Sequence, residues 1–235
     1  MPRNRPRTRP LIIAHRGASA AHVENTVAAF EAAGPLGADA IELDARRTAD
    51  GAIVVHHDDA LPDGRVIVET DRADLPAHVP TLAVALDACG DLVVNIEIKN
   101  SPEDRDFDPT EMVADAVVAE VRRRRTTDRY LVSCFHRPTI DHVKAAMPEL
   151  RTAYLHALVD GATALAEAVE HGHRVLHPWY GWATEELIGA AHDQGVVVNA
   201  WTVDDPEAMA QLAARGIDGI VTNVPDLALE VLGPR

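Results

Sequence analysis

Short apolar, β-branched runs alternate along the chain with longer stretches in which apolar residues recur every three or four positions. The runs predict strands at Leu11–Ala14, Ala40–Ala45, Leu92–Ile98, Tyr130–Ser133, Arg151–Leu155, Arg174–Leu176, Val196–Ala200 and Gly219–Val221. The longer stretches predict helices at Thr26–Ala33, Leu82–Ala88, Thr110–Arg124, Pro138–Ala146, Ala162–Glu170, Glu185–Gln194, Pro206–Arg215 and Pro225–Leu232. A strand is followed by a helix eight times over. Parallel neighbours need a crossover, so this rhythm implies a parallel sheet. Eight such units in 235 residues fit a compact (β/α)8 TIM barrel of the α/β class. A doubly wound open sheet is the alternative. It places a Gly-rich phosphate loop after its first strand, and no Gly-x-Gly-x-x-Gly occurs here.

Local signals refine this picture. Gly34, Gly172, Gly195 and Gly216 stand just past helical runs, where a left-handed cap is expected. One segment breaks the alternation. Thr48-Ala49-Asp50-Gly51 reads as a turn, Ile53–His57 as an extra extended run, and the polar stretch 61–80 as a short excursion after the second strand. Arg122–Arg125 closes a helix, where cations suit the negative end of the dipole.

Composition narrows the class. Hydrophobic residues make up 47% of the chain and aromatics 4%, so the core is built from Ala, Val, Leu and Ile. The formal net charge of −15 argues against nucleic acid and anionic membrane as partners. Cys89 and Cys134 lie in different segments without metal-site spacing and read as core thiols of a reducing compartment. Residues 1–9 are basic and Pro-rich, and no apolar signal or membrane-spanning run follows. The expectation is a disordered arm over 1–9, a single catalytic domain over 10–235, and a cytoplasmic protein without stable membrane insertion.

Candidate chemistry collects at the predicted strand ends, where barrels carry their sites. The first strand delivers His15-Arg16-Gly17. The second reads Ala40-Ile41-Glu42-Leu43-Asp44. Side chains alternate along a strand, so Glu42 and Asp44 share one face, about 7 Å apart. Two carboxylates on a buried strand are costly without a cation. The third strand repeats the alternation with Asn95, Glu97 and Lys99. It adds a third carboxylate and a cation, or else a structural Glu97–Lys99 pair. His56-His57-Asp58 ends the extra run, and only one of two adjacent strand residues can face the site. Together these groups equip an in-line displacement at phosphorus. A hard divalent ion and cations stabilise the phosphoryl charge, and two imidazoles move protons.

The same residues resemble the glycerophosphodiester phosphodiesterase family. The matching motifs are His15-Arg16-Gly17, Glu24-Asn25-Thr26, Gly37 to Asp44, Thr48 to Gly51, His57-Asp58, Pro80-Thr81-Leu82, Asn95 to Lys99, Ala200 to Val203 and Asp218 to Thr222. The resemblance implies a (β/α)8 barrel that hydrolyses glycerophosphodiesters, small-molecule substrates, to an alcohol and sn-glycerol 3-phosphate. It implies one divalent metal ion, Mg²⁺ or Ca²⁺, on Glu42, Asp44 and Glu97. It implies His15 and His57 as the acid–base pair, with Arg16 and Lys99 on the phosphate, and makes His56 a bystander. Phe135 and Trp201 are similar to pocket-lining positions, though a core role fits either. Glu24 and Asn25 are expected to orient the site, while Asn25 also stands where it could cap the first helix. Val23 replaces a usual Pro, Asn223 stands where Asp is common, and the excursion is shorter than is typical. His136 and His177 match no motif and are expected as surface or satisfied core histidines. Two other readings stay open. A phospholipase-type barrel forming a cyclic phosphate needs an apolar rim, and no exposed aromatic cluster is expected here. A non-catalytic barrel that binds glycerophosphodiesters would be expected to lose one His.

Overall fold

The structure is a computed structural model describing residues 9–234. Its strands are β1 (Leu11–His15), β2 (Ala40–Arg47), β3 (Ile53–Val55), β4 (Val93–Ile98), β5 (Tyr130–Cys134), β6 (Arg151–His156), β7 (Val175–Pro178), β8 (Val197–Ala200) and β9 (Gly219–Thr222). Its helices are α1 (Val27–Ala33), α2 (Leu82–Ala88), α3 (Met112–Arg124), α4 (Arg137–Ala146), α5 (Gly161–Glu170), α6 (Glu185–Asp193), α7 (Pro206–Ala214) and α8 (Pro225–Leu232). Eight strands pair in parallel in the order β1-β9-β8-β7-β6-β5-β4-β2, and β1 pairs with β2 to close the ring. The fold is therefore a (β/α)8 barrel. β3 lies outside the ring, antiparallel to β2.

Alternation along each strand sorts the core. Outward residues such as Ile12, Ile41, Leu43, Val94 and Ile96 pack against the helices in one large cluster. Inward residues form two small apolar floors: Ile13, Ala40 and Val221 on one side, Leu131, Ala153 and Val175 on the other. The polar inward residues lie above these floors, toward the C-terminal ends of the strands. Helix starts are set by Thr26, Thr81, Asp160, Thr184 and Asp205, whose side chains accept from backbone N–H groups of the first turn. Each such cap contributes about 1 kcal/mol.

Several expectations are corrected. Residues 1–8 of the expected arm lie outside the described residues, but Arg9 is buried and pairs with Asp39 at 2.6 Å. Gly34 is right-handed (φ −61°), and the chain turns instead at Gly37 (φ +95°), where a Cβ would meet Leu229 at 2.7 Å. α3 starts at Met112 rather than Thr110, because the Asp108 carboxylate captures the N–H groups of Thr110 and Met112. The excursion is not merely polar and irregular: Leu61, Ile67, Leu75 and Val79 close over Val54 of β3 as a satellite core. Cys89 and Cys134 are free and buried, as expected. Among the described residues, no helix is long and apolar enough to cross a membrane.

Candidate active site

Strand register brings the acids together. Parallel pairing sets Glu42 beside His15 on one side and Asn95 on the other, and sets Asp44 beside Glu97. One oxygen from each of Glu42, Asp44 and Glu97 lies within 4.8 Å of the other two, and all three residues are buried. Lys99 leaves the end of β4 with its N–H on the Ala45 carbonyl at 3.1 Å. Its Nζ lies 2.5 Å from Glu97 Oε1 and 3.1 Å from Asp44 Oδ1.

The turn after β1 positions two more groups. Arg16 sits in the left-handed region (φ +57°) and donates its backbone N–H to Glu42 Oε2 at 2.9 Å. Its Nε lies 3.4 Å from Asp44 Oδ2, and its Nη1 lies 2.9 Å from Glu24. Gly17 (φ +80°) allows this turn, since a Cβ there would meet the Ala29 backbone at 2.7 Å. Asn25 does not cap α1; Thr26 does. Asn25 instead donates to Asp44 Oδ2 at 2.7 Å.

Two imidazoles flank the acids. His15 Nε2 lies 4.0 Å from Glu42 Oε2, and its Nδ1 lies 2.8 Å from Asn223 Oδ1. His57 Nδ1 lies 2.7 Å from Asp58 Oδ1. His57 lies past the end of β3, so strand alternation does not select it. The bond from the His56 N–H to the Asp44 carbonyl, at 3.0 Å, fixes this loop. His56 turns its Nδ1 to the Asp58 carbonyl.

Charge balance shapes the site. Burial pushes the Glu42 carboxyl well up, and Asp44 and Glu97 push it further. Burial also raises Glu97, with Asp44 adding to what Lys99 cannot offset. Asp44 is pushed up by burial, but Lys99, Arg16 and His57 override this and hold it well below the usual carboxylate range. Burial and then Arg16 lower His15; burial and then Lys99 lower His57. Glu42 Oε1 is buried without a hydrogen-bond partner. Three clustered carboxylates, one holding an orphan oxygen, are the donor set of a hard divalent cation, and the residues fit one.

His15, Arg16, Glu42, His57, Glu97 and Lys99 line a cleft of about 90 Å³ that also includes Phe135, His177 and Trp201. It adjoins a wider polar opening of about 440 Å³ bordered by Arg46, His57, Glu97 and Lys99. Phe135 and Trp201 meet edge to face, with ring centroids 5.4 Å apart. A larger groove, about 710 Å³, lies between α5 and α6, takes in Trp182 of the loop after β7 and shares no lining residue with the cleft.

Two expectations change here, those on His177 and on exposed aromatics, while that on His136 holds. His177 is wholly buried and lines the cleft, with Nε2 3.1 Å from Asn199 Nδ2. Its position two residues after Val175 puts it on the inward face, a signal available from strand parity. His136 stands outside the cleft, at the start of α4, with Nδ1 3.2 Å from Thr139 Oγ1. An exposed aromatic cluster does exist. Trp179, Tyr180 and Trp182 follow β7, with Phe135 and a fully exposed Leu158 among the exposed apolar side chains of the same end. The backbone of this loop is tied to Trp201, the Tyr180 N–H donating to the Trp201 carbonyl at 2.9 Å, and Trp182 Nε1 donates to the Ala157 carbonyl at 3.1 Å. Sequence reasoning also misses Asn223 and Arg46 as parts of the site. Arg46 continues the Glu42–Asp44 alternation, whereas nothing in the sequence marks the partner of Asn223.

Comparison with known proteins agrees with this geometry. Residues 15–227 match the model of the glycerophosphoryl diester phosphodiesterase family. A glycerophosphodiester phosphodiesterase of Caldanaerobacter subterraneus subsp. tengcongensis is 31% identical, over 94% of this chain and 97% of its own. The crystal structure of a Thermotoga maritima glycerophosphodiester phosphodiesterase superposes with a TM-score of 0.81 at 26% identity, covering 94% of this chain and 98% of that one. An Oleispira antarctica phosphodiesterase, solved with its product sn-glycerol-3-phosphate, shares the fold with a TM-score of 0.86 at 24% identity over 95% of this chain and 96% of its own.

Proposed function

We propose, from the premise that this chain belongs to the glycerophosphoryl diester phosphodiesterase family and is an enzyme, that it hydrolyses water-soluble glycerophosphodiesters to an alcohol and sn-glycerol 3-phosphate by paired-imidazole catalysis. The observation that carries the reading is the three-carboxylate cluster with an imidazole on either side. Glu42, Asp44 and Glu97 would hold one divalent cation, Mg²⁺ or Ca²⁺, whose hard, oxygen-seeking character suits them. Such an ion supplies charge stabilisation at the phosphoryl oxygens.

The remaining work falls to the chain's own side chains. Arg16 and Lys99 face the phosphate with fixed positive charge. One imidazole takes the proton of the attacking hydroxyl as the new P–O bond forms, and the other protonates the alcohol oxygen as the old bond breaks. In both rings Nδ1 is engaged by an oxygen, leaving Nε2 for proton transfer. The attacker is water or the substrate's own 2-hydroxyl, which gives a cyclic phosphate that water then opens. The binding-only reading is set aside because the chain is an enzyme. The barrel over 10–235 is proposed as the single catalytic unit, and its buried free thiols suit a cytoplasmic setting.

Incubating the purified chain with glycerophosphocholine and Mg²⁺ or Ca²⁺ should release choline and glycerol 3-phosphate. No release with either ion would overturn the reading. The exposed Trp179, Tyr180 and Trp182 favour a second substrate class, acylated glycerophosphodiesters whose chain rests on this rim. Turnover of lysophosphatidylcholine to a cyclic product, with none of glycerophosphocholine, would favour it.

A further inference from the structure

We infer that Asp204 and Asn223 fix the tautomer of His15 and so keep its Nε2 turned to the reacting proton. This rests on the catalytic reading above. His15 Nδ1 lies 2.8 Å from the side-chain oxygen of Asn223. An amide oxygen only accepts, so Nδ1 carries the hydrogen and the neutral ring presents a bare lone pair at Nε2. Nε2 is the nitrogen on the Glu42 side, 4.0 Å from its carboxylate.

An amide has two nearly isosteric ends, so something must orient Asn223. Asp204 does. Its Oδ2 lies 2.6 Å from Asn223 Nδ2, and its Oδ1 accepts from the Asn223 backbone N–H at 2.8 Å and from Thr222 Oγ1 at 2.9 Å. A carboxylate only accepts, so the NH₂ end of Asn223 must face it and the oxygen must face His15. Ser19 Oγ lies 2.8 Å from both the His15 carbonyl and Asn223 Oδ1; with one hydrogen to donate it is compatible with either end of the amide, so Asp204 alone sets the orientation. Polarity thus runs one way, from Asp204 through Asn223 to His15. Asp204 follows β8 and Asn223 follows β9, so closure of the barrel against β1 assembles the chain.

Asp204→Asn keeps the two bonds at Oδ1 but sets NH₂ against NH₂. The Asn223 amide then turns over, presents a donor to His15 Nδ1, and forces the hydrogen onto Nε2. Adding Asn223→Asp restores the order. The new amide at position 204 then donates to the new carboxylate at position 223, and that carboxylate accepts from His15 Nδ1. The test is ¹⁵N NMR of the metal-free protein with neutral imidazoles, paired with steady-state kinetics on glycerophosphocholine. Wild type should show the Nδ1–H form of His15. D204N should show the Nε2–H form and lose about 100-fold in kcat, the size of one acid–base contribution, with KM within about twofold. D204N/N223D should regain at least about tenfold of that loss, a coupling that a merely structural role would not produce. An Nε2–H form in wild type overturns the inference without any variant. So does D204N with unchanged tautomer, or a double variant no better than D204N. If the tautomer switches as expected while His15→Ala retains full turnover, the positioning stands and the catalytic reading fails.

Discussion

Arg46 Nε donates to the backbone carbonyl of His57 at 2.8 Å. The same guanidinium grips Asp106 at 2.6 Å and Asp104 at 3.0 Å. One buried cation thus joins β2, the loop carrying His57 and the loop after β4. His57 lies beyond the end of its strand, so this bond takes over where the sheet stops holding.

Arg46→Ala leaves Asp106 buried without its cation. Urea unfolding should show a loss of about 3 kcal/mol, typical of breaking one side of a buried pair. Turnover should fall as well, because His57 loses its anchor. Adding Asp106→Asn should recover stability but not turnover. Recovery of both would detach Arg46 from His57.

His15→Ala and His57→Ala should each lower kcat by at least about 100-fold. Neither residue is in the carboxylate set, so calorimetric cation affinity should stay within a few-fold of wild type. Near-normal turnover in both variants would remove the acid–base assignment.

Chelation should abolish activity while the circular dichroism spectrum persists. Glu42 has a raised folded pKa, so the folded state binds more protons than the unfolded state above the ordinary 4.5. Its contribution to stability therefore declines as pH rises past that value. Glu42→Gln removes this charge and should raise the cation-free unfolding midpoint at neutral pH, while weakening cation binding and activity. A lower midpoint would mean that the carboxylate is adequately neutralised within the protein.

Gly17→Ala combines a positive φ with a 2.7 Å approach to the Ala29 backbone. The conformational term alone is about 1 kcal/mol, and the clash adds to it. Thermal unfolding should show a loss of about 2 kcal/mol or more. A neutral result would show that the turn after β1 can rearrange freely.

Burial, then the neighbouring His156, pushes His177 down to about 3 from the ordinary 6.5. Its depressed folded pKa means that the unfolded chain takes up a proton first as pH falls. Stability from this residue is complete above 6.5 and is lost at about 1.4 kcal/mol per pH unit from there toward 3. His177→Gln should flatten this slope in urea titrations from about pH 7 to about pH 4 without altering it at higher pH. An identical slope would assign the acid sensitivity elsewhere.

The eight-unit rhythm is legible in the sequence because apolar periodicity distinguishes strand from helix locally. So is the shared face of Glu42 and Asp44, since alternation is a property of a single strand. Boundaries at α3 and Gly34 are not, because competing side-chain bonds and the packing of α8 decide them. The aromatic rim escapes for a related reason: Trp179, Tyr180 and Trp182 are hydrophobic residues, and only loop geometry turns them outward.

By itself the sequence determined the strand–helix order, the inward set of each strand and the reactive groups at strand ends. Tertiary structure alone decided which of those groups touch. Register between β2 and β4 places Asp44 beside Glu97, and barrel closure brings Asn223 onto His15 across 208 positions of chain. Hydrogen bonds between distant segments depend on closure of the whole ring, and no local pattern of residues encodes their partners.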